Sequence, residues 1–200
     1  MKYFIEVVKT RLKGILIRLL QLKTVNLGKK KRFELIYSFL KDPWNMDSKK
    51  EQYRFLKTNL IISESMQHLD SILEIGCGEG HQSVYLSQLC DKLYGIDISQ
   101  IAIKAAKRKC PTGIFEVADI INVDPKEQQY ELVVACEILY YLKDIEKAIK
   151  LMSHLGRYCL VTYLESHESV FGRFIEPIEG VKYEVIHGST ANWKVAYWNQ

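Results

Sequence analysis

The stretch Ile72-Leu73-Glu74-Ile75 runs without a break into Gly76-Cys77-Gly78-Glu79-Gly80, an apolar strand followed by three glycines at alternate positions. Glycine admits left-handed backbone and lets a ligand approach the chain closely, so the spacing predicts a tight strand-to-helix turn beside a nucleotide-type ligand. The order is G-x-G-x-G rather than the G-x-G-x-x-G of dinucleotide binders, and an acid, Glu74, stands two residues before the first glycine.

A turn of this kind works at the edge of a parallel sheet, and the flanking pattern supplies one. Residues 71–75, 93–98, 114–118, 131–135, 158–163, 183–186 and 194–198 read as short strands rich in β-branched or aromatic side chains. Helical windows lie at 49–66, 81–90, 101–109 and 144–154. Alternating strand and helix predict an α/β fold: a Rossmann-like, doubly wound, mainly parallel seven-stranded sheet with helices on both faces. Only the turn His187-Gly188-Ser189-Thr190 separates the last two strands, which are expected to pair antiparallel at the end of the sheet.

Acids recur where such sheets bind ligands. Asp97 ends the second strand in Tyr94-Gly95-Ile96-Asp97-Ile98-Ser99, where a carboxylate can accept hydrogen bonds from ribose hydroxyls, and Asp119 ends the third in Ala118-Asp119-Ile120. The fourth strand runs into Cys136-Glu137-Ile138-Leu139-Tyr140-Tyr141-Leu142. One carboxylate at an apolar strand end, Glu137, is expected to have a raised pKa and to handle a proton or position an amine; the alternative is a solvated helix cap.

At 200 residues the chain is long enough for one well-buried core. It has no apolar run of about 18 residues and no secretory block at its start, so it is expected to be cytoplasmic. Cys77, Cys90, Cys110, Cys136 and Cys159 are odd in number and form no C-x-x-C pair, which predicts reduced, mostly buried thiols and no metal site.

The net charge of +4 is unevenly placed: residues 1–32 carry ten Lys or Arg against one acid, and the other 168 residues are net acidic. The chain therefore divides into an arm, 1–32, and a body, 33–200. In the arm Phe4, Val8, Leu12, Ile15, Leu19 and Leu22 fall at helical spacing, and Gly28 followed by Lys29-Lys30-Lys31-Arg32 reads as the helix end and a basic connector. Two readings stay open for this stripe: packing on the body or a protein partner, or lying on the anionic inner face of a membrane. Nucleic acid is not an expected partner, because the arm lacks interleaved aromatics and the body is acidic.

The glycine turn with Glu74, Asp97 and Asp119 in order resembles the class I S-adenosylmethionine-dependent methyltransferases over residues 68–164. The resemblance implies S-adenosylmethionine as cofactor. Glu74 and the turn Gly76, Cys77, Gly78 and Gly80 would hold its methionine end, Asp97 its ribose and Asp119 the adenine amine. Ile98 and Ile120 would flank the adenine ring, and Cys136 and Glu137 would face the sulfonium and the acceptor.

Asp42-Pro43-Trp44, Tyr53, Lys57 and the run 136–142 are further similar to the NodS family, nodulation enzymes that N-methylate a de-N-acetylated chitooligosaccharide. That likeness implies an amino sugar or oligosaccharide acceptor. An O-methyltransferase, with His81 or His167 as base, and a non-catalytic partner subunit of the same fold are the alternatives. Trp44 and Tyr53 would either stack on a sugar ring as a lid or anchor a covering helix.

Overall fold

A computed structural model describes residues 13–17, 28–66, 68–124 and 129–200. Seven strands, β1 Leu69–Ile75, β2 Cys90–Asp97, β3 Ile114–Val117, β4 Tyr130–Cys136, β5 Gly156–Leu164, β6 Lys182–His187 and β7 Asn192–Asn199, form one sheet. Their order is β3-β2-β1-β4-β5-β7-β6. The first five run parallel. β7 lies antiparallel between β5 and β6. The sheet grows outward from β1 to β3 and then restarts at β4 on the other side of β1. Crevices open at such a reversal, outside the carboxyl ends of the strands.

Among the described residues, after the helical fragment 13–17, six helices follow: α1 Lys29–Phe39, α2 Lys49–Ser65, α3 Ser83–Leu86, α4 Gln100–Lys109, α5 Ile145–Leu155 and α6 Glu168–Ile175. Strand side chains alternate between two cores, as a period of two requires. Ile72, Leu132, Val134, Leu160 and Val195 pack with Ile62 of α2, Leu86 of α3 and Ile103 of α4. Leu73, Val133, Ala135, Val161 and Ala196 pack with Met152 of α5 and Phe171 of α6. Three helix starts are capped by short polar side chains: Ser48 accepts from the Glu51 amide, Ser99 from Ala102 and Asp144 from Lys147.

The expected α/β sheet and its antiparallel close are present, but three local expectations change. The window 81–90 holds only the single turn α3, because Ser83 turns its hydroxyl to Glu74 and Cys90 already belongs to β2. Lys29-Lys30-Lys31-Arg32, expected as a connector, is the first turn of α1, so the line drawn between 32 and 33 falls inside a helix. Four like charges at a helix start are unfavourable. What offsets them is the fully buried Ile36 and the carboxylate of Glu34, which accepts from the Gln100 amide at 2.5 Å and the Ser99 hydroxyl at 3.2 Å. Between β5 and β6, where the sequence offered no element, a 3-10 turn at Glu165–His167 leads into α6.

Of the arm, residues 13–17 are helical, with Ile15 exposed and the Lys13 ammonium donating to the Asp42 carbonyl at 2.9 Å. The remaining stripe positions Phe4, Val8, Leu12, Leu19 and Leu22 lie outside the described residues. No described helix is long and apolar enough to cross a membrane.

Candidate active site

The glycine turn leaves β1 with Gly76, Gly78 and Gly80 all at positive φ (72°, 53° and 82°). Two of them are bare for packing. A Cβ on Gly76 would stand 2.4 Å from the Ile138 side chain, and one on Gly80 would stand 2.9 Å from Ala106 Cα of α4. At Gly78 the added atom would meet only the Tyr37 hydroxyl, at 3.0 Å, so this residue offers bare backbone to the space in front of it.

That space is a cavity of about 740 Å³ at the reversal point of the sheet. Every cofactor-binding or catalytic residue expected from the sequence lines it except Gly80, which packs from behind against α4.

Glu74 forms the floor. It is 4% exposed and accepts a hydrogen bond from Ser83, and burial pushes its carboxyl up to about 8 although Ser83 and Arg54 pull the other way. Arg54, from α2, is 1% exposed, and its Nε donates to Glu51 at 2.8 Å while a terminal nitrogen donates to Gln82 at 2.9 Å. Burial works against this cation, but the carboxylates of Glu51 and Glu137 outweigh it and raise its pKa. Gln82 in turn donates to the Cys136 sulfur at 3.3 Å.

Asp97, at the end of β2, accepts from the amides of Ser99 at 2.8 Å and Gly78 at 3.1 Å, which fastens the glycine turn to the second strand. Burial lifts its carboxyl to about 6, with those amides and Lys29 resisting. Asp119, after β3, receives the Ile121 amide at 3.3 Å, and Ile98 and Ile120 stand in the same wall.

α1 forms a roof, with Lys29, Phe33 and Tyr37 facing the cavity. Phe33 stacks on Trp44, whose indole nitrogen donates to the Tyr141 hydroxyl at 2.7 Å. Trp44 thus anchors the covering helix. Tyr53, by contrast, is 39% exposed on α2, away from the cavity lining.

The turn that follows α1 is pinned as well. Asp42 sits at φ 47°, takes the amides of Met46 and Asp47 on its carboxylate, and donates its own amide to Glu79 at 2.9 Å. His81 packs into this corner, 3.0 Å from Asp47 and 3.7 Å from Glu79. Asp42, Glu79 and His81 bring possible metal-ligand atoms within 4.8 Å of one another, and the Lys109 ammonium stands 3.0 Å from the His81 ring and 3.5 Å from Asp47.

At the far end Glu137 leaves β4 at φ 59°, a conformation that costs a side-chain-bearing residue about 1 kcal/mol or more and concentrates at functional sites. Its amide donates to the Thr162 carbonyl at 3.0 Å, and its carboxylate accepts from the hydroxyls of Tyr140 and Thr162, each at 3.2 Å. Burial raises its pKa against the pull of Arg54. His167 lies beside this group, its ring edge-on to Tyr140 at 5.1 Å and stacked on Phe171 at 5.9 Å.

Sequence reasoning missed Arg54, Gln82, Tyr37 and Thr162. One signal was available: on α2 the buried face reads Arg54, Phe55, Thr58 and Ile62, so a guanidinium interrupts an apolar stripe.

Known proteins share this fold. Nodulation protein S of Rhizobium tropici is 29% identical over 118 residues, covering 58% of this chain and 50% of the relative. Its counterpart in Sinorhizobium fredii is 29% identical over 157 residues, covering 76% and 70%. The chain spans about half the length of the first of these relatives. A crystal structure of N-methyltransferase NodS from Bradyrhizobium japonicum WM9 with S-adenosyl-L-homocysteine superposes with a TM-score of 0.73 at 22% identity, over 86% of this chain and 99% of that one. The family model described as Nodulation protein S (NodS) matches residues 33–176, and with that match over most of its length the chain belongs to the NodS family.

Proposed function

We propose that the chain transfers a methyl group from S-adenosylmethionine to the free amine of an amino sugar or oligosaccharide. The observation that carries this reading is that Glu74, Asp97 and Asp119 line the same cavity as Glu137. Its volume, about 740 Å³, falls in the range of small-molecule sites. Membership of a family that includes an N-methyltransferase crystallised with S-adenosyl-L-homocysteine supports it.

The lining chemistry fits the cofactor. Arg54 and Glu74 offer a cation and an anion to a zwitterionic amino-acid end, and Gly78 offers bare backbone beside them. Asp97 accepts ribose hydroxyls, Asp119 the adenine amine, and Ile98 and Ile120 flank the ring. Gly76, Cys77 and Cys136 complete the wall, while Gly80 holds the turn against α4.

When bound, S-adenosylmethionine supplies a methyl group on a sulfonium, open to in-line attack with a thioether as leaving group. Glu137 receives the acceptor's ammonium and takes one of its protons, which leaves the nitrogen lone pair facing the methyl carbon. As the N–C bond forms the S–C bond breaks, the product is a methylated ammonium, and Glu137 passes its proton to solvent. A carboxyl pKa raised by burial makes Glu137 a better base than an exposed glutamate.

Calorimetry with S-adenosylmethionine, followed by assays on de-N-acetylated and fully acetylated oligosaccharides, tests the proposal. Binding with turnover of the free amine alone supports it. Absence of binding would favour a non-catalytic partner subunit. A second reading, O-methylation, draws on His167, which lines the acceptor end; His81 is engaged by Lys109, Asp47 and Glu79 and fits that role less well. Equal turnover of acetylated acceptors would favour it.

The proposal extends to a cytoplasmic enzyme whose basic arm touches the inner face of a membrane. Because α1 begins at Lys29, the test neutralises Lys2, Lys9, Arg11 and Lys23 rather than deleting 1–32. Unchanged sedimentation with anionic vesicles would reject the membrane contact.

A further inference from the structure

We infer that Tyr140 is a positioning residue for this reaction: its hydroxyl, fixed by the Leu164 amide, aims and stabilises the carboxylate of Glu137. The inference rests on the reading of Glu137 as the group that receives the acceptor amine.

A phenol has one hydrogen to give. The Leu164 amide donates to the Tyr140 oxygen at 2.5 Å, which occupies that oxygen as an acceptor and leaves its hydrogen for Glu137 Oε2 at 3.2 Å. In such a chain each bond polarises the next, so the phenol becomes a stronger donor. The ring cannot swing away readily, because Tyr141, His167 and Phe171 pack edge-on around it with centroids 6.1, 5.1 and 5.1 Å distant. Thr162 holds the other carboxylate oxygen from β5.

Both oxygens of Glu137 are thus clamped by hydroxyls anchored on the end of β5, while its backbone is held left-handed at the end of β4. The purpose of a clamp on a buried carboxylate is legible from its surroundings. Arg54 on α2 favours the anion, whereas Glu51 on α2 and burial disfavour it. Cys136 and Tyr141 on the same turn and His167, packed edge-on against Tyr140, are further titratable groups around it. Hydroxyl donors tip that balance toward an ionised base.

A purely architectural Tyr140, tying β4 to β5, would affect stability without moving the pH at which the base ionises. The test is therefore a pH profile of kcat/KM for wild type, Tyr140→Phe and Glu137→Gln with the free-amine acceptor, alongside calorimetry with S-adenosylmethionine. Loss of one donor to a carboxylate is expected to move the acidic limb of Tyr140→Phe upward by about one pH unit. Activity should fall most on the acidic side of the profile and recover at higher pH, with cofactor affinity within about twofold of wild type.

Fluorotyrosine incorporated at position 140 keeps the shape and strengthens the donor, so its limb should move downward; this variant decides the matter if Tyr140→Phe folds poorly. A limb unmoved in these variants, with Glu137→Gln inactive, would overturn the positioning role and leave Glu137 standing. Full activity in Glu137→Gln would overturn both.

Discussion

Binding of S-adenosylmethionine between pH 6 and pH 8 depends in this account on the protonation of Glu74. Burial holds that carboxyl at about 8 in the free protein. At pH 7 roughly one molecule in ten carries it ionised, yet the ammonium of the ligand's methionine end calls for the anion. Binding at pH 7 should therefore release nearly one proton, on the order of 0.9 per site. Apparent affinity should rise about eightfold from pH 6 to pH 7 and only about two- to threefold more to pH 8, because the ligand's own α-amino group loses its charge over that last interval. Asp97, at about 6, adds less than about twofold to the first step.

The stability of the free protein carries the matching sign. A carboxyl whose folded pKa is raised binds more protons folded than unfolded, so stability falls as pH climbs from the unfolded value toward about 8. From Glu74 alone the loss between pH 6 and pH 8 is about 2 kcal/mol. Calorimetry at pH 7 in buffers of different ionisation enthalpy reads the released proton directly, and Glu74→Gln should remove most of the release and leave only the weak pH dependence of Asp97 and the ligand amine. A binding heat independent of buffer, with affinity flat from pH 6 to pH 8, would refute the assignment of Glu74 to the ligand's ammonium.

Gly80→Ala tests the packing role of the turn: its Cβ would stand 2.9 Å from Ala106 Cα at φ 82°, so thermal unfolding should show a loss of about 2 kcal/mol or more. Arg54→Met removes the buried cation between Glu51 and Gln82; calorimetry should show cofactor affinity reduced at least about tenfold, and an unchanged affinity would take Arg54 out of the site.

Much of this architecture was legible because its signals are local. Glycines at alternate positions and an acid at each strand end are read from neighbours in the chain, and all of them but Gly80 line one cavity. What escaped depends on distant partners. Lys29-Lys30-Lys31-Arg32 reads as a connector until Glu34 is seen fastened to the start of α4 and Ile36 buried against the body. Thr162 looks ordinary on a strand, and Arg54 shows only as a break in the apolar face of α2; their relation to Glu137 comes from the packed structure. Tyr140 and Tyr141 were indistinguishable in sequence, yet one clamps Glu137 and the other receives Trp44. His81 and His167 were equal candidates, and ion-pair neighbours separate them: His81 sits among Asp47, Glu79 and Lys109, His167 against aromatic rings.

The most direct measurement is the position of the transferred methyl group. The protein is incubated with S-adenosylmethionine bearing a trideuterated methyl and a de-N-acetylated chitooligosaccharide, and the product is fragmented in a mass spectrometer. The label is expected on the free amine nitrogen, with no labelled product from the fully acetylated sugar or from Glu137→Gln. A label on oxygen, or equal labelling of the acetylated sugar, would contradict it.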